Sequence, residues 1–393
     1  MGRGRGKRKG FKRQGKETKE VDTGAHDPKR ARYDDPSQFY NDKFEQYYRA
    51  QRILRDEEDF QQFLSTLRTT LPICFRVNPL SPAAERLRYR LENEFNFKGL
   101  EEHHKVEIPA DKGETASSAA TENNGETNKE VTKPFQLEWY PRGMAWQLNM
   151  TRGEVKKNPI SKPFHQWLVA QTTVGYISRQ EAVSMIPPLL LDVQSHHKVL
   201  DMCASPGSKT VQLLEALHTN GLDGDSMPTG LVVANDNESK RAYMLIHQCK
   251  RIGSNALAVT CHDAQSFPTL NPTVREKEST GSSGQGIFDR VLCDVPCSGD
   301  GTLRKSPDIW RRWDPAMGLG VHKLQAQIAL RGLELLKVGG VMVYSTCTFN
   351  PIEDEAVVKT LLNRAGDAVE IVDCTGKLPG EQNYILESSS GSI

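Results

Sequence analysis

The chain has 393 residues, 37% of them hydrophobic and 26% charged, which fits a soluble globular protein of about two domains with some disordered length. No uninterrupted apolar run approaches the roughly 18 residues of a membrane helix, and eight cysteines without a Cys-x-x-Cys pair argue against zinc and for free thiols in a reducing compartment. A formal net charge of +1 hides an asymmetry, since residues 1–32 carry +8 and leave −7 for the remainder.

The basic start, "MGRGRGKRKGFKR", has no apolar core behind it and does not read as a secretory signal. Residues 1–36 read as a disordered, Gly-spaced cationic tail suited to phosphates or to nuclear import, with a solubilising role as the alternative. Residues 37–160 read as a small α/β domain. Helical spacing in "FYNDKFEQYYRAQRIL" and "EEDFQQFLSTL" puts Phe60, Phe63, Leu64 and Leu67 on one face. "ICFRVNP" reads as a strand, and "SPAAERLRYRLENEF" as a helix capped by Ser81 with Pro82 in its first turn. Residues 110–133 hold one valine among small and polar residues and read as a flexible insertion. Trp139, Tyr140 and Trp146 follow as core, and His103-His104 and His196-His197 read as surface histidines rather than metal ligands.

Residues 161–386 alternate strands and helices, ahead of a disordered tail at 387–393. Helices are predicted over "PFHQWLVAQTT" and "SRQEAVSMI". Strands are predicted over "KVLDM", "GLVVAND", "ALAVTCHD", "FDRVLCDVP", "VMVYSTC" and "AVEIVDC". The helices between them are "SKTVQLLEALH", "SKRAYMLIHQCKRIG", "VHKLQAQIALRGLELLKVGG" (closed by Gly339-Gly340) and "PIEDEAVVKTLLNR". On the second of these helices, Ala242, Leu245, Ile246, Cys249 and Ile252 share a face. The pattern predicts right-handed crossovers and a Rossmann-like, doubly wound, mostly parallel sheet. Ligands of such a sheet sit at the carboxyl ends of its strands, near the topological switch.

Cys297 and Cys347 lie just past two of those strand ends, and the helix between them makes the strands parallel. Both thiols are therefore expected on one ligand-binding edge, whereas Cys249, Cys261 and Cys293 read as inert residues within elements. "LDMCASPGSKT" joins the first strand to its helix, whose N-terminus offers free N–H groups. A phosphate-binding P-loop needs glycines at 203 and 208. The chain has Cys203 and Ser208 there. Asp201, Asp236, Asp263 and Asp294 end successive strands, with Asp236 placed for ribose hydroxyls and Asp263 for an adenine amino group. This points to a nucleoside-like cofactor without a phosphate clamp, which S-adenosylmethionine fits better than NAD or ATP.

In their order, "DMCASPGSKT", "ANDNESKR", "HDA", "DVPCSGDGT" and "YSTCTFNPIEDEA" resemble the motif series of the Sun-type RNA cytosine-5 methyltransferases. "FHQWLVAQTTVGYISRQEA" and the Arg/Gly-rich start are most similar to the nuclear, tRNA-methylating branch. The likeness covers roughly residues 37 to 386 outside the insertions. It implies an RNA-binding N-terminal domain and a methyltransferase domain. It further implies that Cys203, Ala204, Ser205, Pro206, Gly207, Ser208, Lys209, Asp236, Asp263 and Asp294 contact S-adenosylmethionine. Cys347 would then be the nucleophile, Cys297 the residue that assists product release, and a nuclear, nucleolar location would follow. Family members continue past the helix 352–364 with a further antiparallel strand and an RNA-binding region. Here the text stops at "NYILESSSGSI", which reads as an abrupt end.

Carbon 5 of cytosine is a weak nucleophile until a thiolate adds at carbon 6, and that step requires an activated cysteine. Asp294 is positioned to hydrogen-bond the ring at N3 or its amino group, and Cys297 to serve acid–base chemistry when the adduct breaks. Lys209 reads as orienting the site. The target base must leave its stack. Arg304, Lys305, Arg311 and Arg312 read as phosphate contacts, with Trp310 or Trp313 nearby, or as a solvated charged face. The other readings are an inactive RNA-binding scaffold and a DNA cytosine-5 methyltransferase, the latter disfavoured by "STCT". No metal and no membrane enter any of them.

Overall fold

The computed structural model describes residues 39–97, 133–220, 227–270 and 286–378. The basic tail, the C-terminal tail and nearly all of the 110–133 insertion lie outside them. Two helices come first, α1 (Asp42–Gln51) and α2 (Glu57–Leu67), each started by a side chain that accepts a free N–H, Asn41 from Phe44 and Asp56 from Asp59. Their aromatic face does not join the small α/β domain expected of 37–160. Phe44, Tyr48, Phe60, Leu64 and Leu67 pack instead with Leu303, Ile309, Trp310 and Trp313, far along the chain.

The first sheet is antiparallel, in the order β2 (Phe135–Gln136), β3 (Ala145–Leu148), β1 (Ile73–Val77), β4 (Ile177–Arg179). Helices α3 (Ala84–Asn93), α4 (Arg152–Lys157) and α5 (Lys162–Thr173) cover it, and Phe75, Leu87, Leu91, Trp146, Val155, Phe164 and Leu168 form its core. Helix α5 and strand β4, which lie beyond residue 161, thus pack with the first sheet rather than the second. "SRQEAVSMI" is not one helix, because Ile177, Ser178 and Arg179 pair with the open edge of β1. Only a short turn and α6 (Ile186–Leu190) follow. Ser81 does not cap α3: its hydroxyl accepts the Ala83 N–H at 3.1 Å, and the helix begins one residue later. His197, expected at the surface, is buried, with Nδ1 accepting the Gln194 N–H at 3.0 Å.

The second sheet is parallel, in the order β7 (Leu257–Thr260), β6 (Leu231–Asn235), β5 (Lys198–Asp201), β8 (Phe288–Asp294), β9 (Leu336–Ser345). Its helices are α7 (Ser208–Thr219), α8 (Ser239–Cys249), α9 (Asp308–Arg312), α10 (Ala316–Leu335) and α11 (Glu355–Ala365). Both faces are covered, which is why these strands are continuously apolar. Val199, Leu213, Leu217, Val232 and Leu245 pack on one side, and Met202, Val291, Cys293 and Ile328 on the other. The doubly wound expectation holds, with the order reversing between β5 and β8. On α8 the buried stripe is Ala242, Leu245 and Cys249, while Ile246 is exposed.

Two predicted elements differ. Gly339-Gly340 does not close a helix; α10 ends at Leu335 and strand β9 starts at once. Pairing jumps from Phe288↔Leu336 to Arg290↔Val341, so residues 337–340 bulge out, and Gly339 at φ 78° supplies the left-handed turn. "AVEIVDC" forms no strand among the described residues, and Ile371 and Val372 stay exposed. Its alternation gives a face but no partner ladder. No helix of the described residues is long and apolar enough to cross a membrane.

The two sheets are tied by Arg76 on β1, whose buried guanidinium pairs with Glu215 of α7 and donates to Gln180 at 2.9 Å. One Glu215 oxygen has no other partner. Arg76→Met is expected to cost about 3–5 kcal/mol by stranding that carboxylate, and Arg76→Met/Glu215→Leu to recover most of the loss. Urea-unfolding midpoints of the two variants and the parent check this.

Candidate active site

Parallel pairing aligns Asp294 of β8 with Ser345 of β9, so the segments leaving both strands emerge side by side. That register brings Cys297 and Cys347 together, with their Sγ atoms 3.2 Å apart and the Cys347 N–H donating to Cys297 Sγ at 3.3 Å. Cys347 is exposed and Cys297 partly so. The expectation of two thiols on one edge is met. Gly301 lets the loops approach this closely, because its N–H donates to the Cys347 carbonyl at 3.0 Å and a Cβ there would meet that oxygen at 2.8 Å.

Only one of the two thiols gives up its proton readily. The hydrogen bond between the two sulfur atoms, in which either thiol can be the donor, holds Cys347 below the ordinary thiol range, helped by Lys209 and Lys305 against burial and Asp294. Cys297 is pushed up by that same hydrogen bond, by burial and by the charge on its neighbour. The arrangement is a thiolate with an attached proton donor. Beside it, Lys209 Nζ lies 2.7 Å from Asp294 Oδ2, and the Ser345 hydroxyl donates to Oδ1 at 2.8 Å. Lys209 thus orients Asp294.

The loop from Cys203 to Lys209 runs from β5 into α7. Gly207 turns it at φ 107°, and a Cβ there would strike Leu245 at 2.9 Å. Ala204 donates to the Asn235 carbonyl at 2.8 Å, and the Ser205 N–H to Asp236 at 3.3 Å. Cys203 packs against the core, and burial pushes its thiol up. The four strand-end aspartates divide. Asp201 is buried, pushed up to about 7 by that burial, and takes the Thr210 hydroxyl at 2.7 Å, which locks α7 to the sheet. Asp236 lies under the half-exposed Arg241, which donates to it at 3.0 Å, while Asp263 is exposed. Asp236, Asp263 and Asp294 make an acceptor-rich edge, and Lys209 is taken by Asp294. That chemistry suits a ligand rich in hydroxyl and amino donors and repels phosphate.

The expected phosphate contacts are largely engaged within the chain. Arg304 donates to the Thr70 carbonyl at 2.9 Å, Lys305 pairs with Glu181 at 2.6 Å, and Arg311 pairs with Asp308. Trp310 and Trp313 are core residues rather than base-stacking platforms. Sequence reasoning missed Asp300 and Glu353. Both are fully buried; Glu353 bonds to both cysteine loops, and Asp300, on the Cys297 loop, bonds to the Cys347 loop. Asp300 stands in "SGDG", which reads as an ordinary turn, and Glu353 in "IEDEA", which reads as a helix start. Among the described residues, no group of three or more His, Cys, Asp or Glu is placed to hold a metal ion.

Residues 188–385 match the family described as 16S rRNA methyltransferase RsmB/F. The chain is 44% identical over 337 residues to the tRNA (cytosine(34)-C(5))-methyltransferase of Drosophila melanogaster, covering 86% of this chain and 42% of that protein. It is 42% identical over 375 residues to the multisite-specific tRNA:(cytosine-C(5))-methyltransferase of Saccharomyces cerevisiae, covering 95% and 50%. The chain spans about half the length of the curated relatives it matches. NSun6 from Pyrococcus horikoshii, solved with SFG, shares the fold with a TM-score of 0.54 at 19% identity, over 84% of this chain and 88% of that one.

Removing either group that favours the Cys347 thiolate has a defined sign. Cys297→Ala and Lys209→Met are each expected to move the pH midpoint of Cys347 alkylation by iodoacetamide upward, so that the rate at neutral pH falls. Peptide mass spectrometry across a pH series checks this.

Proposed function

The chain belongs to the 16S rRNA methyltransferase RsmB/F family, and from that premise we propose that it methylates carbon 5 of cytosine in RNA, tRNA above all. The observation that carries the reading is the pair of contacting thiols at the open edge of the parallel sheet, one favoured as thiolate and the other holding its proton. The tRNA-methylating relatives support the substrate. The basic residues 1–36 support a nuclear location, with the nucleolus as the proposed compartment.

S-adenosylmethionine is the proposed cofactor, and the acceptor-rich edge fits its hydroxyl and amino groups. Cys203, Ala204, Ser205, Pro206, Gly207, Ser208 and Lys209 would line it, with Asp236 and Asp263 taking the nucleoside and Asp294 beside the reacting end. Arg241, half-exposed over Asp236, would have to swing outward to open that carboxylate to the nucleoside. When bound, the cofactor supplies an electrophilic methyl group.

The residues of the chain supply the rest. Cys347 thiolate forms a bond to carbon 6, and the displaced electron pair makes carbon 5 nucleophilic. Asp294, steadied by Lys209 and Ser345, accepts from the protonated N3 or the ring amino group and so holds the protonated ring, whose positive charge the addition of the thiolate neutralises. Once methylated, carbon 5 must lose its proton and carbon 6 its sulfur. By then Cys347 is a neutral thioether, and the negative neighbour that kept Cys297 protonated is gone. Cys297 is then more acidic than before, gives its proton to solvent and, as thiolate, takes the carbon 5 proton while the Cys347–carbon 6 bond breaks and Cys347 leaves as thiolate. The base must be unstacked to reach either sulfur.

Cys297→Ala is expected to accumulate a denaturant-resistant adduct of RNA on Cys347, and Cys347→Ala to abolish the adduct and cut methyl transfer by roughly 10³-fold or more. Gel retention of labelled tRNA and transfer of labelled methyl groups check this, and full transfer by Cys347→Ala would overturn the assignment. Calorimetric binding of S-adenosylmethionine separates the enzyme from an RNA-binding scaffold, which would bind RNA alone.

A further inference from the structure

Asp300 has no exposed surface, yet its carboxylate takes four donors from three parts of the chain. At Oδ2 it receives the Tyr48 hydroxyl from α1 and the Trp313 indole N–H at 2.9 Å. At Oδ1 it receives the Thr348 hydroxyl at 2.6 Å and the Phe349 N–H at 3.0 Å. Asp300 is three residues past Cys297, and Thr348 directly follows Cys347. The carboxylate is thus a rivet between the two loops. Neighbouring contacts repeat the theme. Tyr47 of α1 donates to Asn350 Oδ1 at 2.7 Å, and Asn41 donates to the Trp310 and Trp313 carbonyls at 2.8 and 3.0 Å. Burial and the adjacent Asp300 charge keep the Tyr48 phenol protonated, so it stays a donor.

We propose that α1 is a positioning element of the active site, in which Tyr48 through Asp300, and Tyr47 through Asn350, set the separation of the two sulfur atoms. None of these groups reaches the reacting atoms. Their effect passes through the contact at 3.2 Å, which a loop shift of about 1 Å removes. The charged groups that face Cys347 are Asp294, Lys209 and Lys305, with Glu353 beside Cys297. None belongs to α1, so a change in α1 reaches the thiolate only through geometry. The inference rests on the covalent reading above and names the part of the molecule that holds its two thiols in place.

The test uses the full chain and the variants Tyr48→Phe, which removes one hydroxyl, and Asp300→Asn, which turns a shared acceptor into a competing donor. Phe44→Leu, in the same buried cluster but not bonded to Asp300, controls for loosened packing. Both positioning variants are expected to raise the pH midpoint of Cys347 alkylation and to lower kcat, by roughly 3–10-fold and 10–100-fold respectively, with KM for tRNA and affinity for S-adenosylmethionine unchanged. Should Asp300→Asn fail to fold, Tyr48→Phe decides alone. A wild-type midpoint and kcat in Tyr48→Phe overturn the proposal, as does an equal shift in Phe44→Leu. Alkylation needs neither RNA nor cofactor. A parent protein with the expected midpoint but no methyl transfer would therefore defeat the proposed activity and leave this positioning role standing.

Discussion

Two chain segments that leave a parallel sheet side by side have no ladder left to hold them, and in this protein buried carboxylates take over that task. Glu353 accepts the Ser298 N–H at 2.8 Å, the Gln325 side chain at 3.0 Å and the Thr348 hydroxyl at 3.3 Å, while Asp300, itself on the Cys297 loop, gathers donors from the Cys347 loop, from Trp313 and from α1. A buried carboxylate is tolerable only when its lone pairs are filled, and a donor to a charged group is worth about 1.5–3 kcal/mol. The same requirement makes the arrangement specific. A slip of either loop would leave a charge unsatisfied, so the sulfur contact is held by the cost of every alternative.

That rigidity has a chemical use. Two thiols in contact share their first proton unequally, and the sharing reverses once one sulfur is alkylated. A single geometric fact, the spacing of Cys297 and Cys347, thereby gives each cysteine its role in turn without movement of the backbone. Lys209 and Asp294 act similarly on the neighbouring side, where an ion pair fixes a carboxylate that would otherwise have several rotamers.

Much of this was legible in the residues themselves. The doubly wound sheet follows from apolar strands spaced by helices, and the shared edge of Cys297 and Cys347 follows from the parallel crossover between them. The partners of each element were harder to read. Helix α5 carries the right periodicity but no label for which sheet it joins, β4 is too short to show a period and lies hidden at the start of a segment that reads as a helix, and "AVEIVDC" has alternation without a neighbour. Gly339 and Gly340 mark a break, and only pairing with β8 shows it to be a bulge within a strand. Asp300 and Glu353 escaped notice because their chemistry depends on donors that arrive from distant parts of the chain. Asp236 and Lys209 stood out because they follow strand ends, where position alone carries meaning.

The bond between Tyr48 and Asp300 spans 252 positions. A ribosome adding about 5–20 residues per second therefore leaves the apolar face of α1 and α2 waiting roughly 10–50 s for its partners. Phe44, Tyr48, Phe60 and Leu64 belong to a cluster completed only when Leu303, Trp310 and Trp313 have been made. For that interval the nascent protein carries an aromatic surface with nothing to cover it, which is the kind of surface that chaperones shelter. Helices α1 and α2, the first among the described residues, are thus among the last to find their place.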